Sequence, residues 1–119
     1  KVFYYHDMGE EQGQVFSPTD IGIHQDVRAT PLPDDLPERP ASDDVGAAFD
    51  AEEAAGIAAL NGLCALDGDA GTTYDALVYA GAIALWHLKK HDKLHDAASQ
   101  IREALDSGSA MSHFESAKD

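Results

Sequence analysis

Three histidines of the chain lie four residues apart: His87, His91 and His95. On one continuous helix this spacing would place the three imidazoles on one face, and imidazole nitrogen is a ligand that zinc prefers. Three lysines add positive charge to the same stretch: Lys89, Lys90 and Lys93. His91-Asp92 is also typical of a break between two helices. The pattern therefore favours solvated histidines at a helix end over a metal site.

A short acidic segment, Asp67-Gly68-Asp69-Ala70-Gly71, resembles the start of a calcium-binding loop. A complete EF-hand loop needs further oxygen ligands and a Glu at its twelfth position. The twelfth residue from Asp67 is Val78, so the pattern fails. The segment also lacks the glycine spacing, the Lys and the Ser or Thr of a phosphate-binding P-loop. We interpret it as an acidic connection between helices.

The single cysteine, Cys64, rules out an internal disulfide. It lies in an apolar pattern of four residues: Ile57, Leu60, Leu63 and Leu66. This setting predicts a buried, inert thiol rather than a nucleophile. No Ser-His-Asp or Cys-His arrangement is supported by the spacing. We therefore assign no catalytic, cofactor-binding or metal-ligating residue in this chain.

The balance of charge excludes several classes of partner. The 119 residues include 22 acidic and 8 basic ones, giving a formal net charge of -14. Phosphate binding needs Lys and Arg to release counterions, so nucleic acid is not expected as a partner, nor is an anionic membrane surface. Many Asp and few Lys are typical of a cytosolic protein from a salt-loving organism, where salt screens self-repulsion. An ordinary acidic protein is the alternative.

The stretch from Tyr74 to Trp86 is apolar on nearly every face, and Asp75 is its only charge. A helix that is apolar all round is expected to be buried. At 1.5 Å per residue it is about 20 Å long, too short for a bilayer core of about 30 Å. We predict a central core helix, capped by Thr72 or Thr73, around which the other segments pack.

The sequence divides into three parts: residues 1–24, 25–49 and 50–119. The first predicts a β-hairpin, with strands at 1–6 and 14–16, followed by a compact turn that Ser17 and Pro18 open and Gly22 closes. The second is rich in proline and acid, which predicts an extended connection without regular structure. The third is helical. The predicted fold class is mostly α with an N-terminal β-hairpin.

Two further helices are predicted from apolar periodicity. The first runs from Ala51 to Leu66, with Asp50 as N-cap and Glu53 three positions later, as in a capping box. The next runs from Leu94 to Asp106 and ends at Ser107-Gly108, where Gly108 is expected to be left-handed. Its expected inner positions are Leu94, Ala97 or Ala98, Ile101 and Leu105, and its expected outer positions are Gln100, Arg102 and Glu103. A short last turn follows, anchored by Met111 and Phe114.

Two parts of the chain resemble the C-terminal end of the anthranilate phosphoribosyltransferase family (glycosyltransferase family 3, with a nucleoside phosphorylase-like catalytic domain). Residues 2–23 resemble its late hairpin and its Pro-x-Asp-aliphatic-Gly-aliphatic turn, seen here as Pro18-Thr19-Asp20-Ile21-Gly22-Ile23. Residues 74–117 resemble its last helices, and Asp106-Ser107-Gly108-Ser109-Ala110 is similar to its closing Asp-Ser-Gly-small-Ala motif. Ala80-Gly81-Ala82 departs from the family's usual Asn-Ala-Ala.

The resemblance implies a fragment of an α/β phosphoribosyltransferase catalytic domain. Such enzymes use magnesium and transfer the phosphoribosyl group of phosphoribosyl pyrophosphate to anthranilate or a related aromatic acceptor, in tryptophan biosynthesis. Their glycine-rich loop and Asp-Glu metal pair precede the hairpin, and neither pattern occurs here. The start Lys1-Val2-Phe3-Tyr4-Tyr5 is typical of the middle of a strand, so we expect a piece of a longer cytoplasmic enzyme. The expected partners are the rest of that enzyme and, in the whole enzyme, a second subunit.

The chain alone is then expected to be inactive, and its role would be packing. The alternative is a free-standing acidic helical module that binds a partner without catalysis. An exposed apolar face awaiting a partner and a glycine-rich segment in the same gene are the features that favour the enzyme.

Overall fold

The computed structural model describes residues 2–7, 9–24 and 51–117. In chain order the elements are strands β1 (Val2–Asp7) and β2 (Glu10–Val15), a single 3-10 turn (Pro18–Ile21), and helices α1 (Ala51–Leu66), α2 (Thr72–His87), α3 (Leu94–Asp106) and α4 (Ser109–Ser116). The mostly helical class is confirmed. The expected connection over 25–49 and the Asp50 cap lie outside the described residues.

The two strands pair antiparallel, with Val2 opposite Val15 and Asp7 opposite Glu10. The return strand was expected over 14–16, but it begins at Glu10. Gly9, with φ 86°, adopts the left-handed backbone that a two-residue hairpin turn requires. Because the turn is this tight, strand pairing extends over Glu, Gln and Gly residues of weak strand propensity.

The 3-10 turn directs two isoleucines into the core. Gly22 ends it at φ 79°, as predicted, and its N–H donates to the Thr19 carbonyl. The Ile23 N–H donates to the carbonyl of Pro18 at 3.0 Å. This pair of bonds reverses the chain after Ile21, so that Ile21 and Ile23 are both buried.

The core lies mainly between α2 and α3, and its buried members are Tyr74, Val78, Ala82, Ala97, Ala98 and Leu105, joined by Ile21, Ile23 and Ala65. The predicted inner face of α3 is confirmed, with Leu94 and Ile101 packed at the margin. The small side chains of Ala82, Ala97 and Ala98 let the two helices lie close together.

Gly81 marks the closest approach of these helices. A Cβ placed there would lie 2.9 Å from Ile101 Cδ1 and 3.0 Å from Ile101 Cγ1, closer than carbon atoms pack. Ile101 therefore occupies the space that a side chain at position 81 would need.

The expectation that α2 is buried on every face is wrong. One face packs on α3, but Leu77 is 36% exposed, and Ala76, Ala80 and Ala84 are exposed as well. A helix sequence that is apolar on every face predicts burial of the helix. It does not identify the segment or partner that covers each face. The predicted threonine cap is also wrong: Thr72 is the first helical residue, and Gly71 precedes it as the cap.

Helix α1 and the 3-10 turn end in the same hydrogen-bond pattern. After α1, the Gly68 N–H donates to the Ala65 carbonyl and the Asp69 N–H to that of Cys64. The 3-10 turn ends likewise at Gly22. This is the Schellman arrangement, in which the N–H of the left-handed residue and the N–H of the residue after it donate to two of the last carbonyls. Gly108, also left-handed as predicted, separates α3 from α4.

The end of α2 has this pattern without glycine. The Lys89 N–H donates to the Trp86 carbonyl and the Lys90 N–H to that of Leu85, both at 2.9 Å. Lys89 therefore adopts φ 56°, a backbone conformation that is costly for any residue with a Cβ.

We predict that Gly81→Ala destabilises the chain by about 1 kcal/mol, because overpacking against Ile101 exceeds the gain in helix propensity. Chemical denaturation measures the loss. In an Ile101→Ala background the same substitution should cost less, since the obstructing carbons are gone. Equal costs in the two backgrounds would contradict the close approach of α2 and α3.

We predict that Lys89→Gly is more stable than Lys89→Ala by about 1 kcal/mol, because only glycine adopts φ 56° without a steric penalty. Both variants remove the lysine side chain, so the comparison isolates the backbone. At Lys90, where φ is not positive, the matched pair should show alanine at least as stable as glycine. Thermal melts of the four variants provide the measurement.

Candidate functional site

A cleft of about 180 Å³ lies between the second half of α1 and the start of α2. Its lining combines an amide, a thiol, a carboxylate and three hydroxyls with small apolar groups: Asn61, Cys64, Ala65, Asp69, Ala70, Gly71, Thr72, Thr73 and Tyr74. None of these described residues is His, Lys or Arg, so the lining places no imidazole and no cationic side chain beside the thiol. Cys64 is half-buried rather than buried as expected.

Tyr74 joins this cleft to the end of α3. Its hydroxyl donates to Asp106 Oδ1 at 2.8 Å. Burial raises the pKa of Tyr74 from its ordinary value of 10.0, and the hydrogen bond to Asp106 and the negative charge of that carboxylate raise it further. The contact fixes the start of α2 against the last turn of α3.

Arg102 lies where the sequence did not place it. It was expected on the outer face of α3, but its Nη2 donates to the carbonyl of Ile21, at the end of the 3-10 turn. The last carbonyls of a helical turn have no partner within the turn, so a cation there satisfies one of them. Helical periodicity alone carries no signal for this role, because the acceptor belongs to the backbone of a distant segment.

Two aromatic contacts join Phe16 to α2. Its ring meets that of Trp86 edge to face, with centroids 4.9 Å apart and planes at 80°. Tyr79 Oη lies 3.5 Å from the Phe16 carbonyl, at the outer limit of a hydrogen bond. Burial raises the pKa of Tyr79 from 10.0, and the charge of Asp20 adds to the effect. Neither contact was expected from the sequence.

The three histidines do not share a helix face. His87 ends α2, His91 lies between the helices and His95 belongs to the first turn of α3, so the predicted break is confirmed. His91 Nε2 lies 2.5 Å from Gln100 Oε1, and His95 Nδ1 lies 3.6 Å from Asp96. In the part of the chain that the structure describes, no three His, Cys, Asp or Glu side chains converge to hold a metal ion.

Helix α1 carries an apolar surface that faces water. From Ala54 to Leu66 it contains no charged residue, yet Leu60 is 60% exposed and Leu63 is 36% exposed. Ala55, Ala58 and Ala59 are exposed too, and of the helix only Ala65 belongs to the buried core. The uncharged part of α1 and the exposed face of α2 are together called the apolar surface. It comprises residues 54–66 and Ala76, Leu77, Ala80 and Ala84.

Comparisons of the chain with protein-family models, with curated proteins and with solved structures find no match. Among the residues described, no helix has the length and apolar character needed to cross a membrane.

We predict that Tyr74→Phe lowers stability at neutral pH by about 1 kcal/mol, through loss of the bond to Asp106. Because folding raises the pKa of Tyr74, its contribution is complete below pH 10 and is lost as pH rises through the raised value. Denaturation midpoints between pH 7 and 11 should therefore fall more steeply in the native chain than in the variant. Parallel curves would contradict the assignment. The variant Tyr79→Phe shows how much of the fall in the denaturation midpoint at high pH comes from the second tyrosine.

Proposed function

We propose that this chain is the C-terminal structural part of a phosphoribosyltransferase-like enzyme whose catalytic residues lie in the rest of that enzyme. The enzyme would transfer a phosphoribosyl group from phosphoribosyl pyrophosphate to anthranilate or a related aromatic acceptor, in the cytoplasm and as a homodimer. The proposal rests on the resemblance of residues 2–23 and 74–117 to the anthranilate phosphoribosyltransferase family.

The packing of the two resembling parts supports this proposal. They are separated by 50 residues in sequence, yet residues 16–23 lie against α2 and α3 through Ile21, Ile23 and the Phe16–Trp86 pair. Arg102 of α3 holds the carbonyl of Ile21. Two segments that pack in one core belong to one structural unit, as the resemblance requires.

The apolar surface supports it further. Exposed, contiguous apolar residues mark a place where another surface binds. Leu60, Leu63 and Leu77 gain nothing from contact with water, and burial of each would contribute roughly 1 to 2 kcal/mol. In a complete enzyme the other segments of the same chain would cover the apolar surface, because each copy of this part is accompanied by one copy of them.

The chemistry of such an enzyme is positioning and charge stabilisation around a cationic sugar carbon. When bound, magnesium would neutralise the pyrophosphate leaving group. The described residues do not fit a magnesium site, since no group of three candidate ligands is assembled among them. They are therefore assigned no step of the reaction, and their role is to pack one edge of the catalytic domain.

The alternative function is an acidic helical module that binds a partner through the same apolar surface and has no catalytic half. The net charge of -14, which keeps such a module soluble, is compatible with it. The two functions differ in what the gene encodes beside these residues and in whether the chain folds alone.

The decisive test is the gene and its complete product. We expect the coding sequence to contain a glycine-rich loop and an Asp-Glu pair before Lys1, and the complete protein to release pyrophosphate from phosphoribosyl pyrophosphate in the presence of an aromatic amine and magnesium. A complete coding sequence without these elements would overturn the proposal. So would a 119-residue chain that folds stably alone and has no companion.

We predict that Leu60→Asp or Leu77→Asp in the complete enzyme lowers its melting temperature by several degrees, because each places a charge at a covered interface. Val15→Asp is the matched control, since Val15 is 70% exposed, like Leu60 at 60%, but lies on β2 and outside the apolar surface. Equal effects at all three positions would contradict docking through the apolar surface.

A further inference from the structure

One side of α1 presents a continuous row of exposed residues to water. It lies on the opposite side of the helix from Ala65, the residue of α1 that is buried in the core. Positions three or four residues apart share a helix face, so the row consists of Gly56, Ala59, Leu60, Leu63 and Asp67, all exposed. The Asp67 N–H donates to the Leu63 carbonyl at 3.1 Å, so helical geometry continues to the end of the row. We call this row the outer stripe.

The apolar part of the outer stripe has the form that a second helix fits. Its four apolar members stand at positions i, i+3, i+4 and i+7, the spacing with which one helix packs on another. Gly56 and Ala59 let another backbone come close, while Leu60 and Leu63 project as anchors. A Cβ added at Gly56 would meet no atom within 4 Å, so this end of the stripe is open. A strand fits less well, because the backbone groups of a helix are already bonded within it.

The outer stripe ends in negative charge. Asp67 lies one helical turn beyond Leu63, and Asp69 is exposed two residues later. The C-terminal end of a helix has a partial negative charge of its own, which a basic side chain in the last turn offsets. Helix α1 has no basic residue in its last turn, and from Pro40 to Leu88 the sequence contains acidic residues but no Lys or Arg. The cation that this end of the stripe favours is therefore left for a partner to supply.

We propose that the outer stripe binds an amphipathic helix that carries Lys or Arg at one end of its apolar face. The apolar face covers Leu60 and Leu63, and the cation pairs with Asp67. This inference rests on the docking role that the proposed function gives the apolar surface, and it identifies the covering segment of the enzyme as a cationic helix. The net charge of -14 attracts such a helix, whereas it repels a second copy of the chain, nucleic acid and an anionic membrane.

The test is titration of the 119-residue chain with a fluorescent peptide of about 20 residues, built from Leu, Ala and Lys with the apolar residues on one helix face. A shuffled peptide of the same composition keeps the charge and loses the apolar face. We expect saturable binding of the ordered peptide in about 0.15 M salt, and binding of the shuffled peptide at least about tenfold weaker. The comparison separates the docking of a helix from the general attraction of a cationic peptide to an acidic chain.

Matched variants locate the contact without any change of charge. Leu60→Ser combined with Leu63→Ser removes the anchors of the outer stripe and should weaken binding of the ordered peptide about tenfold or more. Val15→Ser combined with Leu88→Ser removes two exposed apolar side chains that lie outside the stripe, and should change binding less than about threefold. All four positions are exposed or partly exposed, so circular dichroism should show the same helix content in both variants.

Asp67→Lys tests the expected cation through a reversal of sign. In the 119-residue chain it should raise the melting temperature, because a cation is favourable at the C-terminal end of a helix. In the complete enzyme it should lower the melting temperature, since it places two cations side by side under the covering helix. Asp92→Lys, at an exposed position outside the stripe, is the control and should shift both melting temperatures in the same direction.

Four outcomes would overturn the proposal: equal binding of the ordered and shuffled peptides, equal losses in the two serine variants, a rise in melting temperature of the complete enzyme on Asp67→Lys, or a dimer of the chain that Leu60→Ser with Leu63→Ser dissociates. A coding sequence without a glycine-rich loop would overturn the enzyme and leave peptide binding intact. Release of pyrophosphate by a complete enzyme, together with equal binding of the two peptides, would overturn this inference alone.

Discussion

The close approach of α2 and α3 at Gly81 is the constraint on which the remaining packing depends. Ile101 fills the space above this glycine, and the alanines of both helices are buried in one cluster with Val78, which is fully buried. The two helices then form one surface, on which Ile21 and Ile23 of the 3-10 turn are buried. Residues separated by half the chain thus share one small core, and the polar contacts at its edges fix their relative positions.

Local patterns in the sequence predicted the helices well, and contacts between distant segments less well. The bounds of α1 and α3 follow from apolar periodicity and from stop signals such as Gly68 and Gly108. Arg102 was misplaced because its acceptor is a backbone carbonyl from another segment. The burial of α2 was overestimated because its composition is apolar on every side. The cleft beside Cys64 had no sequence signal at all.

The exposed leucines and the net charge act against each other in this chain. Apolar surface favours association, at roughly 25 cal/mol per Å² buried, while a charge of -14 opposes contact between like copies. The uncharged run from Ala54 to Leu66 is where another surface can approach without facing fixed negative charge. The exposed leucines of α1 therefore lie in a run of sequence where no local charge opposes association.

The phenols of Tyr74 and Tyr79 act in packing rather than in proton transfer. The pKa values of Tyr74 and Tyr79 are both raised from 10.0, away from neutrality, so neither phenol is prepared to exchange protons near pH 7. Burial is the main cause in each case, and both hydroxyls tie α2 to other segments. Phenols that stay neutral and bridge elements are structural groups.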